Sequence, residues 1–312
     1  MIKENNGKKT ASSAYIALIF VVFIWGITAL IYVHLYEFFS PSMCSAMVGL
    51  SSAIALLFIS AKELKNLNKT YFLIAIPSGL FNVAANLLQK IGLQYTTPAQ
   101  YAFLENLSCI VVPVLMFFFV RKKPTFIKIA ASIICLAGAF VLSGISFDTA
   151  SIAFGKGEIL CALSGICYGF SIAMTGAFAG ELSAPLYVMI QMWVSAVVSF
   201  GSAFIFNNIT VNGQIMEPAR FTWGIYPIVF IVIFALITNA LCWTVRTNAL
   251  KKIDASVVAV IMPFSAVITA IASVIIGTDK VTLNLVLGGI LCLAAAILSG
   301  IGDSFEGKKR TK

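Results

Sequence analysis

Charged residues are scarce in this sequence. They make up 11% of its 312 residues, with 12 Asp and Glu and a single His, whereas 60% of the residues are hydrophobic. A water-soluble domain carries about 25% charged and 45–50% apolar residues, so a soluble enzyme is excluded. The net charge of +9 does not indicate nucleic-acid binding, because the Lys and Arg residues lie beside apolar segments.

Sequence motifs for catalysis and metal binding are also missing. The sequence has no HExxH, no Gly-x-Ser-x-Gly and no phosphate-binding loop. Its seven Cys lie inside apolar segments without a CxxC pair, which is typical of small core residues rather than of disulfides or a metal site. We therefore expect no enzyme activity, no cofactor and no metal.

Long apolar runs make up most of the chain. Each is about 20 residues long, the length that crosses a ~30 Å hydrocarbon layer. Between an N-terminal tail (1–13) and a basic C-terminal tail (303–312), the sequence predicts an all-α membrane protein with ten transmembrane helices. The predicted spans are 14–36, 42–61, 71–93, 98–120, 126–146, 157–179, 184–206, 222–247, 254–277 and 282–302.

The Lys and Arg residues are divided unevenly between alternate loops. On the side of the N-terminus the loops and tails hold 17, counting Arg246, and the opposite side holds four: Lys90, Lys156, Arg220 and Lys280. Because cytoplasmic loops retain Lys and Arg, we expect a multi-pass protein of the cytoplasmic membrane with both termini in the cytoplasm.

The second half of the chain repeats the first. Asn82 corresponds to Asn239 at an offset of 157, Ile134–Ala139 corresponds to Leu291–Ala296 at the same offset, and Trp25 corresponds to Tyr168 at 143. Two five-helix repeats, 14–146 and 157–302, account for these matches. Since five is odd, the second repeat begins on the opposite side of the membrane, which predicts an inverted pair around a central cavity.

The same positions carry a family resemblance. Trp25-Gly26, Tyr168-Gly169, the run Gly-Leu-Gln-Tyr-Thr-Thr-Pro-Ala at 92–99 and the run Lys-Ile-Asp-Ala-Ser at 252–256 resemble the drug/metabolite transporter superfamily, EamA type. The resemblance extends over residues 14–302. It implies two inverted five-helix repeats around a central cavity, with spans five and ten at the edge.

Polar residues repeat at helical spacing in five spans, and such stripes face protein or water because lipid does not solvate them. The stripes are Asn82, Asn86 and Gln89; Asn239, Trp243 and Arg246; Gln191, Ser195 and Ser199; Ser164, Tyr168 and Ser171; and Trp25, Thr28 and Tyr32. Hydrogen bonding between packed helices is the alternative explanation for these residues, above all for Ser and Thr.

Glu105 is the one acid that the predicted spans place well inside the hydrocarbon layer. It shares a helix face with Tyr101, and a charged residue there costs at least ~2.5–3.5 kcal/mol on insertion scales. Glu105 is therefore a candidate for proton coupling or for binding a cationic group of the substrate. A protonated Glu hydrogen-bonded to a neighbouring helix is the structural alternative.

These features predict a secondary active transporter that moves a small metabolite across the membrane by alternating access, driven by protons or by exchange. The predicted substrate-binding residues are Trp25, Asn82, Asn86, Tyr101, Glu105, Tyr168, Gln191, Asn239 and Trp243. Amino acids, amines and drug-like compounds all fit, and the aromatic residues give a slight preference to a cationic amine. The expected partners are this substrate and the lipid bilayer, with a monomer favoured over a dimer. The alternative is a non-transporting integral membrane protein of the same fold, an assembly factor or an intramembrane enzyme.

Overall fold

The computed structural model describes residues 2–92, 95, 104–121, 123–143, 155–211, 214–277 and 280–310. Helices account for nearly all of these residues. Two short elements lie between them: a 3-10 helix (Ala61–Asn66) and a hairpin of two-residue strands (Thr210–Val211 with Gln214–Ile215). The helices are α1 (Ile2–Phe38), α2 (Pro41–Ile59), α3 (Lys69–Gly92), α4 (Ser108–Val120), α5 (Phe126–Leu142), α6 (Lys156–Phe178), α7 (Ala184–Asn207), α8 (Ile225–Leu250), α9 (Ala255–Ile276) and α10 (Leu283–Arg310).

Eight of these helices are long and apolar enough to cross a membrane. Within the described residues, α4 and α5 are apolar but shorter. The eight agree with predicted spans to within three residues at each end, taking Ser12–Phe38 of α1 and Leu283–Gly302 of α10 as the membrane segments. The structure thus supports an all-α, multi-pass membrane protein, and ten spans remain a prediction.

Two of the helices are irregular. In α8, Leu236–Leu241 form a π-helical turn between α-helical segments. In α9, Pro263 separates Ala255–Ile261 from Phe264–Ile276, because proline has no N–H to donate and its ring clashes with the preceding turn.

Helix packing follows a regular pattern. The most extensive contacts are α5 with α10, α2 with α7, and α3 with α6 and α7; further pairs are α4 with α6, α1 with α8 and α9, and α2 with α8. Each contact in the first half has an equivalent in the second, five helices further along, if α1 is counted after α10. The pair α3–α6 is equivalent to α8–α1, α3–α7 to α8–α2, and α4–α6 to α9–α1. The pairs α5–α10 and α2–α7 map onto themselves. The contacts of the first five helices are therefore repeated by the second five.

Close approach between helices depends on glycine at two places. A Cβ on Gly49 of α2 would lie 2.9 Å from the backbone nitrogen of Ala196 in α7. A Cβ on Gly165 of α6 would lie 2.5 Å from the carbonyl oxygen of Leu104. Only a residue without a side chain allows such contacts, so both glycines hold helices together within one chain.

Two carboxylates tie loops to the first turns of helices. Glu217, in the α7–α8 loop, accepts hydrogen bonds from the backbone nitrogen of Ser42 at 2.5 Å and from its Oγ at 2.6 Å, at the start of α2. Glu63, in the α2–α3 connection, accepts a hydrogen bond from the hydroxyl of Ser183, the residue before α7. We call these contacts the Glu217 tie and the Glu63 tie. Each joins the first half of the chain to the second.

Candidate functional site

Two tryptophans from opposite halves of the chain meet in the interior. Trp25 lies midway along α1 and Trp243 lies in α8, with ring centroids 5.6 Å apart and planes inclined at 51°. The indole nitrogen of Trp25 donates a hydrogen bond to the carbonyl oxygen of Thr238 at 3.0 Å. Thr238 belongs to the π-helical turn, and such turns redirect backbone groups and occur often at functional sites.

The guanidinium of Arg246 packs against both rings. Its Cζ lies 4.8 Å from the ring centroid of Trp243 and 5.9 Å from that of Trp25. Only 4% of Arg246 is exposed. Counting Arg246 among the cytoplasmic-loop cations is therefore wrong, since α8 continues to Leu250 and encloses this side chain.

The charge of Arg246 is incompletely compensated. Among the described residues Arg246 takes part in neither a hydrogen bond nor an ion pair, and its Nε is enclosed without an acceptor. A cation–π contact contributes roughly 0.5–2 kcal/mol, whereas a buried charge left without its partner costs about 3–5 kcal/mol. The two rings stabilise the faces of the guanidinium but give its N–H groups no acceptor.

Tyr168 connects this cluster with Glu105. Tyr168, half-buried on α6, lies within electrostatic range of Glu105, Tyr32, Arg246 and Tyr36. Glu105 is also half-buried and lies three residues before the start of α4 at Ser108. Tyr101, predicted on the same face as Glu105, lies outside the described residues.

Gln191 belongs to a fully buried hydrogen-bond network. Its Nε2 donates to Ser78 Oγ at 2.9 Å, and Ser78 lies 3.2 Å from Thr175 Oγ1. Thr175 in turn lies 3.0 Å from the Tyr187 hydroxyl. These four side chains join α3, α6 and α7 and are at most 3% exposed. Hydrogen bonding between helices accounts for this network, and Gln191 Oε1 is its unsatisfied acceptor.

Asn82 and Asn86 make a local contact, whereas Asn239 also donates to Met192 Sδ of α7 at 3.6 Å. Asn86 Nδ2 donates to Asn82 Oδ1 at 3.0 Å, one turn away on α3. Asn239 Oδ1 accepts from Thr238 Oγ1 at 3.2 Å, beside the carbonyl that binds Trp25. Asn239 therefore adjoins the tryptophan pair, whereas Asn82 and Asn86 form no hydrogen bond to it within the described part of the chain.

Six predicted residues are half-buried, as expected of side chains around a partly accessible space: Trp25, Asn86, Glu105, Tyr168, Asn239 and Trp243. Asn82 and Gln191 are more deeply buried.

Within the described residues no group of His, Cys, Asp and Glu is suited to a metal. A groove of about 390 Å³ between α9 and α10 is lined by apolar side chains and Gly289, and it lies away from this cluster.

Known proteins resemble the chain over almost its whole length. A profile of the EamA-like transporter family matches it twice, over residues 12–144 and 155–301. The "Uncharacterized transporter YyaM" of Bacillus subtilis (strain 168) is 22% identical over 299 residues, which cover 92% of this chain and 93% of that protein. A solved structure described as "Crystal structure of protein" has a TM-score of 0.74 and 15% identity, covering 94% of this chain and 98% of the other.

The solved structure matches the fold alone, because its sequence identity is low. The family profile, by contrast, covers both halves of the sequence and agrees with a fold of membrane-spanning helices. The chain is therefore a multi-pass membrane protein of the drug/metabolite transporter superfamily and belongs to the EamA-like transporter family.

Proposed function

We propose that the protein is a secondary active transporter of a small organic metabolite and works by alternating access. Its two repeats (14–146 and 157–302) would form an inverted pair of five spans each, in the cytoplasmic membrane with both termini in the cytoplasm. The substrate would bind between the repeats, at the cluster of Trp25, Tyr168 and Trp243.

The observation on which this proposal rests is the pair of ties. Ser42 lies in the first turn of α2, and the connection that holds Glu63 follows the end of α2, so the two lie at opposite ends of a 19-residue helix. Glu217 contacts Ser42, and the α7–α8 loop therefore lies at the end of α2 opposite to Glu63. The loops holding Glu63 and Glu217 are five helices apart. Equivalent loops at opposite ends are what inverted repeats require.

The ties also have the arrangement expected of gates. Each connects one half of the chain with the other, and the two lie at opposite ends of the bundle. In alternating access the halves separate at one end while they stay together at the other. We infer that the Glu217 tie closes the outer end and the Glu63 tie the inner end.

Reconstitution in liposomes tests the proposal. Purified protein would be incubated with a defined mixture of amino acids, amines and organic acids, and the contents of the liposomes measured by mass spectrometry. We expect protein-dependent uptake of at least one compound, accelerated when the same compound is preloaded inside. A non-transporting membrane protein would give uptake equal to that of empty liposomes.

Glu105 remains the candidate for proton coupling. If it exchanges a proton during the cycle, Glu105→Gln would remove the pH dependence of uptake while leaving exchange of preloaded substrate intact. Unchanged uptake with unchanged pH dependence would exclude this role.

A further inference from the structure

We infer that Arg246 binds the carboxylate of the transported substrate, so that the substrates are small organic acids. This inference rests on the proposed function, since it names the substrate class of the same site. Its basis is the Arg246 guanidinium, buried inside the helix bundle against two tryptophans from opposite halves of the chain.

The contacts of Arg246 leave its hydrogen-bonding capacity unused. The tryptophans lie against the guanidinium at 4.8 and 5.9 Å, measured from Cζ to the ring centroids. A guanidinium has five N–H donors, and these rings offer them no oxygen as a hydrogen-bond acceptor. In the described part of the chain no oxygen accepts from Arg246, although only 4% of the residue is exposed. An enclosed guanidinium whose Nε lacks an acceptor is therefore a suitable site for an anion that is not part of the chain.

Geometry favours a carboxylate among anions of metabolites. The guanidinium is planar and its fork of N–H donors matches the two oxygens of a carboxylate, which it binds in bidentate fashion. Trp25 and Trp243 lie against this charge and offer an apolar surface for the rest of the molecule. Recognition would thus combine one anionic group with a small apolar or aromatic body.

Arg246 also explains why an amine is disfavoured. The aromatic faces expected to attract a substrate cation are already in contact with the chain's own guanidinium. A second positive charge beside it would be repelled. The slight preference for a cationic amine suggested by the sequence is therefore replaced by the opposite preference.

Tryptophan fluorescence provides a direct test of binding. The sequence has four Trp, and the two outside the cluster, Trp193 and Trp223, are 38% and 82% exposed. In a Trp193→Phe, Trp223→Phe background the emission comes from Trp25 and Trp243 alone. The probes would be matched sets of acid, amide and amine on a common, non-indole body: acetate, cyclohexylacetate and 3-phenylpropanoate with their amides and amines.

We expect at least one acid to quench this emission with a Kd about 10- to 100-fold below that of its amide and amine, the factor for a lost charged hydrogen bond. Arg246→Met should bind the acid no better than the amide. Arg246→Lys keeps the charge but not the fork, and should retain part of the preference. It also keeps the test informative if the Met variant does not fold.

Three results would overturn the inference: no acid binds, the amide or amine binds as tightly as the acid, or Arg246→Lys and Arg246→Met bind the acid as the parent does. Uptake of the bound acid into liposomes separates this inference from the proposed function. Binding without uptake would contradict transport and leave the carboxylate site standing. Uptake of amines unaffected by Arg246→Met would contradict the site and leave transport standing.

Discussion

Breaking the Glu217 tie should open one end of the protein selectively. The carboxylate accepts two hydrogen bonds from Ser42, at 2.5 and 2.6 Å, and Glu217 is 8% exposed. Hydrogen bonds to a charged group contribute roughly 1.5–3 kcal/mol each, and neutral ones about 0.5–1.5 kcal/mol. Glu217→Gln keeps the shape and one acceptor oxygen, so we expect a net loss of about 1.5–3 kcal/mol. That loss raises the open population about 10- to 100-fold.

Cys44 is a native reporter of this opening. It lies in the first turn of α2, two residues after Ser42, and it is fully buried. When reclosing is fast, the rate of thiol modification follows the open population. A membrane-impermeant maleimide, with modified cysteines identified by mass spectrometry, should therefore label Cys44 about 10- to 100-fold faster in Glu217→Gln.

Glu63→Gln is the matched control, because it breaks the tie at the other end of α2. Under alternating access it favours opening of the inner end, so labelling of Cys44 should stay as in the parent or become slower. Equal labelling of Cys44 in the parent and in Glu217→Gln would refute the role of the tie. Equal acceleration by both variants would indicate general loosening rather than two gates.

Three further predictions concern stability, each measured by thermal unfolding in detergent. Gly49→Val pushes α2 away from the backbone of α7 and should lower the free energy of unfolding by about 1–3 kcal/mol. The control Gly201→Ala, with no atom within 4 Å of its added Cβ, should leave it unchanged. Equal losses in both variants would refute the close contact. Asp254→Asn removes the carboxylate that lies 3.2 Å from the buried Lys128 ammonium and should cost about 1.5–3 kcal/mol, the contribution of a hydrogen bond between charged groups; an unchanged melting temperature would contradict this reasoning. Arg121 ends α4 with a φ of 57°, so Arg121→Gly should stabilise by about 1 kcal/mol, and a lower melting temperature would refute that account.

Much of the fold follows from hydropathy and repetition. Apolar runs give the helices directly, because a helix in lipid must satisfy its own backbone. The correspondence of Asn82 with Asn239 predicts the duplication that the family profile matches twice.

The site was less predictable. Trp25 and Trp243 lie on polar stripes, and the structure brings them together. Gln191 lies on a stripe too, yet it bonds to Ser78 in a fully buried network, because a period of 3.6 residues does not distinguish a cavity from a helix contact. Arg246 falls near the end of a span, and the charge count assigned it to a loop. Its spacing from Trp243 places the two on one helix face, but only the packing of α1 against α8 adds Trp25.

The ties were beyond sequence reasoning altogether. Glu63 and Glu217 lie in connections between helices, where an acid is ordinarily solvated. Their function depends on which helix start lies next to each loop, and this follows from how the two halves pack. No local pattern encodes that contact.

The inverted arrangement of the two halves is tested most directly by labelling the two equivalent loops. Lys65 lies in the α2–α3 connection and Thr210 in the α7–α8 loop, and both are exposed. In a background without native cysteines, Lys65→Cys and Thr210→Cys would be treated in intact cells with an impermeant maleimide. We predict that Thr210→Cys is labelled from outside and that Lys65→Cys is labelled only after the membrane is permeabilised. Labelling of both from the same side would contradict inverted repeats and the two-gate mechanism built on them.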